Sequence, residues 1–116
     1  MFYQLLISHF LFDYASALTP KMLEAKSKGY PIFPIFQHAL LHTLGVLIIL
    51  LINSTNWEII LAACFLELVS HTIIDTTKGR IENKYPIFKE NNRWHWHLFQ
   101  IDQFLHVTVM YIISLM

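Results

Sequence analysis

Ionisable residues recur four apart inside stretches apolar enough to cross a bilayer, and this pairing constrains the fold more than any other feature of the chain. The first apolar stretch carries His9 and Asp13, the second His38 and His42, the third Glu67, His71 and Asp75, and the fourth Asp102 and His106. Residues four apart lie one turn above each other on the same helical face. A charged side chain at the centre of a bilayer costs at least ~2.5 kcal/mol on insertion scales. Nine such groups facing lipid would be an intolerable sum, so they must face each other, water or a metal ion.

The stretches set the architecture. They cover about 2–18, 34–52, 57–78 and 98–116, each near the ~20 residues that a helix needs to span the hydrocarbon core. The expectation is an all-α fold: a four-transmembrane-helix bundle forming a single integral membrane domain over 1–116. Thr19-Pro20 and Gly29 bracket a short interfacial helix at about 20–28. Phe33-Pro34 reads as a break before the second span. Thr55 and Glu58 have capping-box spacing for the start of the third. Gly79 suits its end, and Ile81 to Trp96 reads as a polar loop. Composition agrees: 55% of the residues are hydrophobic and 14% charged, against the roughly 25% charged residues of soluble domains. The N-terminus lacks a basic region and its apolar run is broken by His9 and Asp13, so it reads as a retained helix rather than a signal peptide.

Lys+Arg and Asp+Glu balance at 8 each, which removes any bulk electrostatic case for nucleic acid. One cysteine, Cys64, excludes an internal disulfide and a cysteine-based zinc site; it reads as a small buried hydrophobe. Basic residues gather in two connections. Lys21, Lys26 and Lys28 lie between spans one and two, and Lys78, Arg80, Lys84, Lys89 and Arg93 lie between spans three and four, against Glu24, Glu82 and Glu90. The connection at Asn53–Asn56 has none. The positive-inside rule puts the basic ends in the cytoplasm and both termini outward, in the inner or cytoplasmic membrane. Trp57, Tyr85, Trp94 and Trp96 flank the spans as an aromatic belt would. With that topology all four ionisable pairs fall in the cytoplasmic half of the membrane at one level.

Imidazole and carboxylate without thiolate suit zinc first, with iron, manganese or nickel behind it. His9, Asp13, His38, His42, His71, Asp75, Asp102 and His106 are the expected metal ligands. Eight exceed what one tetrahedral zinc needs, so the expectation is one or two ions, with some carboxylates orienting histidines rather than touching metal. Glu67 reads equally as a general base toward a water at the metal and as a buried, protonated acid. Lys78 follows Asp75 by three residues and is expected to face the same cavity and meet an anionic substrate. His95 and His97 alternate with tryptophans and read as interfacial, with His97 near enough to join the site. A lone histidine or aspartate in any of these helices would be an ordinary hydrogen-bonded or capping residue; four aligned pairs favour a shared site.

The combination His9-x-x-x-Asp13, His38-x-x-x-His42, His71-x-x-x-Asp75-x-x-Lys78 and Asp102-Gln103-x-x-His106 resembles the family called domain of unknown function 3307, small multi-pass membrane proteins of bacteria and phages. The resemblance spans nearly the whole chain and implies membrane location and a shared polar core. More distantly, the motif style is similar to inner-membrane proteins described as metal-dependent hydrolases. The leading functional expectation is an intramembrane metal-dependent hydrolase, with a small amphipathic or anionic substrate, such as one bearing a phosphate, and the lipid bilayer as partners. A homo-oligomer stays open. Alternatives are transport of a metal ion or proton through the polar core, haem ligation by two histidines, and a structural or regulatory role beside another membrane protein.

Overall fold

A computed structural model describes residues 1–14, 19–89 and 91–116. It is helical throughout its regular structure: α1 (Phe2–Tyr14), α2 (Pro20–Lys28), α3 (Ile32–Ile52), α4 (Trp57–Lys84) and α5 (Arg93–Leu115), with a 3-10 turn at Pro86–Phe88 before α5. The helices α3, α4 and α5 are long and apolar enough to cross a membrane. The 13 described residues of α1 rise ~20 Å. The expected extension of the first helix to residue 18, and Glu90 of the expected loop, lie outside the described residues.

Several boundaries differ from the sequence reading. Pro34 does not break the chain: it sits in the first turn of α3, where backbone N–H groups have no helical partner to lose. Asn56 rather than Thr55 caps α4, its side chain accepting from Glu58 N at 2.8 Å. Gly79 does not end α4, which continues to Lys84. The expected loop at Ile81–Trp96 is largely helical, because Asn92 accepts from His95 N at 3.1 Å and starts α5 four residues before Trp96 reaches the apolar run. The short helix is as the caps foretell: Thr19 accepts from Met22 N, and Gly29 closes the helix with φ 77° and its N–H on Ala25 O.

Each long helix presents one buried stripe, and the stripe changes chemistry along its length. At one end Leu5, Val46, Leu50, Ile60, Ala63, Met110 and Ile113 pack into an apolar core. One to two turns further, the same faces carry His9, Asp13, His38, His42, Glu67, His71, Asp75, Asp102 and His106, all buried. The outside is the reverse of a water-soluble surface: Ile7, Leu11, Leu44, Ile48, Leu61, Phe65, Ile73, Phe104 and Ile112 are all exposed. The bundle measures 45 × 26 × 22 Å, and its long axis matches the ~40–45 Å of a bilayer with headgroups.

In lipid, apolar burial gives helices little reason to associate; close packing and polar contacts must do so. Two glycines supply the close packing. A side chain on Gly45 would run into Ser8 and Phe12 of α1. A side chain on Gly79 would run into the backbone of Lys26 and Gly29, which is why a glycine stands mid-helix there. Arg80 Nε donates to Gly29 O at 3.3 Å beside it. These contacts bring the two basic connections to the same end of the bundle, while Asn53 Nδ2 donates to Gln4 Oε1 at 2.8 Å at the other.

Candidate metal centre

The paired positions on four helices converge on one buried cluster. The imidazole of His71 stacks near His42 and His106, with ring centroids at 3.9 and 4.2 Å. His9 lies 4.9 Å from His42 and 5.0 Å from His106, and His38 lies 4.6 Å from His42.

Two aspartates gather the rings. Asp13 Oδ1 stands 3.2 Å from His38 Nε2 and 3.5 Å from His42 Nε2, and Asp13 Oδ2 lies 3.7 Å from His9 Nε2. Asp75 Oδ2 lies 3.2 Å from His71 Nε2, and Asp75 Oδ1 lies 3.2 Å from His106 Nε2. Asp102 stands behind, 3.5 Å from His106 Nε2. Glu67 is hydrogen-bonded to His71 Nδ1 at 3.0 Å. That fixes the His71 ring and directs its Nε2 toward Asp75, the arrangement by which a carboxylate orients a ligating histidine.

Donors around a tetrahedral ion with bonds of ~2.1 Å stand ~3.4 Å apart. Separations of 3.2 and 3.5 Å across the cluster match that spacing. Among the described residues, three overlapping groups could hold an ion, each with ligand atoms within 4.8 Å: His9, His42, Glu67 and His71; Asp13, His38, His42 and His71; His71, Asp75 and His106. Many of these atoms lack a hydrogen-bond partner: both nitrogens of His9, Nδ1 of His38, Nε2 of His42 and His71, Oδ2 of Asp75 and Oδ1 of Asp102. Each buried unpaired polar atom costs ~1–3 kcal/mol. Several of them nevertheless face an opposite partner, as His71 Nε2 faces Asp75 Oδ2 at 3.2 Å, and the donor set of imidazole and carboxylate suits a transition metal.

The ammonium of Lys78 pairs with the buried Glu82 one turn on, at 3.0 Å, and Lys78 lines a pocket with Asp102. Lys26 of α2 reaches the cluster, with Nζ 3.4 Å from Asp13 Oδ1, 3.8 Å from Asp75 Oδ2 and 3.3 Å from His38 Nε2. Burial opposes its charge, but Asp75, Asp13 and Asp102 outweigh that and hold the ammonium above the ordinary lysine range. Gln103 is a second residue whose role the sequence did not disclose: its Nε2 donates to Asp13 Oδ2 at 3.2 Å and to Asp102 Oδ2 at 3.0 Å, tying α1 to α5. A faint signal for Lys26 existed. Met22 and Ala25 are the buried residues of α2, and Lys26 shares their face at helical spacing. His95 Nδ1 donates to Phe88 O at 2.7 Å, and His97 lies 6.1 Å from Trp94, both in the first turns of α5.

Fold and cluster together define a class: a small all-helical protein with helices of membrane-spanning length around a buried histidine–carboxylate centre able to hold a metal ion. The family described as "Protein of unknown function (DUF3307)" matches residues 1–116, and the chain belongs to that family. No curated protein and no solved structure matches it.

Proposed function

We propose that the protein is an intramembrane metal-dependent hydrolase, a four-span bundle that holds one or two divalent ions, zinc foremost, and acts on an amphipathic substrate with an anionic, phosphate-type head. The observation that carries the reading is the convergence of His9, His42, Glu67 and His71 from three helices, with one ligand atom of each within 4.8 Å of the others. A divalent ion there supplies Lewis acidity and lowers the pKa of a water beside it. Glu67 holds His71, Asp13 and Asp75 hold the remaining rings, and Lys26 offers positive charge to an anionic head.

Against a transport path stands the apolar packing of Leu5, Leu50, Ile60 and Met110 beyond the cluster, each at most 2% exposed. It gives an ion nothing to hop to. Against haem stands the mutual packing of five imidazoles at 3.9–5.8 Å, which leaves no slot for a macrocycle. The detergent-purified protein is expected to carry at least about one equivalent of zinc, iron or manganese, as a site with three or four protein ligands would. Stripping it with a chelator is expected to abolish turnover of a phosphate-ester lipid analogue, and zinc to restore it. Metal-free protein that cannot be reconstituted would end the metal reading; loaded protein inert toward phosphate, ester and amide analogues would end the hydrolase reading.

The same bundle end carries both basic connections, which supports a cytoplasmic placement of that end with the termini outward. In a Cys64→Ser background, a cysteine at Ser54 is expected to react with an impermeant maleimide on intact cells, and one at Lys21 only after permeabilisation. The reverse labelling would invert the topology.

A further inference from the structure

Two placements of positive charge within the cluster stand apart. One is bounded by His9, His42, Glu67 and His71. The other is bounded by Asp13 Oδ1, His38 Nε2 and Asp75 Oδ2, with His38 Nε2 at 3.2 Å from the first oxygen and 3.8 Å from the second. The two edges to His38 bracket the ~3.4 Å expected between donors around a tetrahedral ion. The second position is where Lys26 Nζ stands, at 3.4, 3.3 and 3.8 Å from the three atoms. Among the described residues Lys26 is the only lysine or arginine paired with a carboxylate of the cluster.

The ammonium is held there by the fold. The backbone of Lys26 and Gly29 lies against Gly79, and Gly29 O accepts from Arg80. The Lys26 side chain is 20% exposed, so its stem follows the wall of the bundle while its head reaches inward. An ammonium and a divalent ion cannot occupy one three-donor pocket together.

We propose that the Lys26 ammonium fills the second cation position, so that the protein takes a single divalent ion, at the histidine-rich position. This rests on the metal reading above and deepens it. A tethered ammonium gives the aspartates a permanent counter-charge that no chelator removes, where a dinuclear site would hold a second ion ~3.5–4 Å from the first.

The test counts ions. Wild type, Lys26→Met and Lys26→Arg are equilibrated with excess Mn(II), freed of unbound metal and analysed for manganese per chain. Wild type and Lys26→Arg are expected to hold about one ion and Lys26→Met about two, the stoichiometry of a two-metal site. Wild type at two, or Lys26→Met at one beside a wild type at one, overturns the proposal. No manganese or zinc in any of the three would overturn the metal reading itself, a result distinct from either. If Lys26→Met does not elute as a monodisperse species, Mn(II) electron paramagnetic resonance of saturated wild type decides: an uncoupled spectrum is expected, and an exchange-coupled pair overturns the proposal.

Discussion

His71→Ala is expected to strip the purified protein of metal and to abolish any hydrolysis it performs. His71 belongs to all three groups of ligand atoms. Its ring is clamped from both sides, with Nδ1 at 3.0 Å from Glu67 and Nε2 at 3.2 Å from Asp75. Removing an orienting partner outside the ligand set costs ~10–100-fold in metal affinity, and removing the central ring should exceed the upper end of that range. Glu67→Gln provides the graded comparison. It keeps an oxygen that can accept from His71 Nδ1 and loses only the charge, so affinity should fall by ~10-fold, at the lower end. Both changes are read by metal titration on protein that elutes as a single species from a sizing column. Metal content equal to a loaded wild type in both variants would show that the ion is not held by this cluster. The alanine variant also leaves Glu67 and Asp75 without their shared partner, and breaking a buried pair costs ~3–5 kcal/mol; a lowered unfolding temperature is therefore expected alongside metal loss.

The second large effect is expected at Gly79. Alanine there gains up to ~1 kcal/mol of helix propensity over glycine. Overpacking costs ~1–3 kcal/mol and sometimes more. The obstructing atoms decide which wins: a Cβ on Gly79 would meet the backbone of Lys26 and Gly29, including Gly29 Cα at 2.8 Å. Backbone cannot rotate aside as a side chain can. Gly79→Ala should therefore destabilise the protein by ~1–2 kcal/mol, and Gly79→Val by more than ~3 kcal/mol, since a branched side chain must lever α2 off α4. Equilibrium unfolding in mixed micelles checks this. A Gly79→Val protein as stable as wild type would mean that α2 does not rest on α4 as described.

Much of the candidate site was legible because one rule governs it. Spacing of four places two side chains on one helical face whatever the helix packs against, so His9 with Asp13 and Asp102 with His106 could be paired without knowing their neighbours. Lys26 was hidden for a converse reason. A lysine in a membrane-flanking connection is expected on topological grounds alone, and only the docking of α2 on Gly79 turns it inward. Gly79 itself misled, since a glycine near the end of a polar-tipped helix reads as a terminator, and its close approach to another backbone is a tertiary fact. Asn56 and Asn92 were passed over for similar reasons. Capping is decided by local backbone angles, which neighbouring Thr55 and the run of tryptophans obscured.

The aspartate of α1 bears on how the bundle is made. The 13 described residues of that helix include His9 and Asp13, and an aspartate at mid-membrane costs ~2.5–3.5 kcal/mol when a helix partitions alone. The partners that offset this cost are synthesised later: His38, His42 and Gln103 all follow it in the chain. Asp13 in α1 thus depends on a helix that follows it in the chain, since Gln103 lies in α5. α1 should therefore reach its final place only once the later helices are there to receive it.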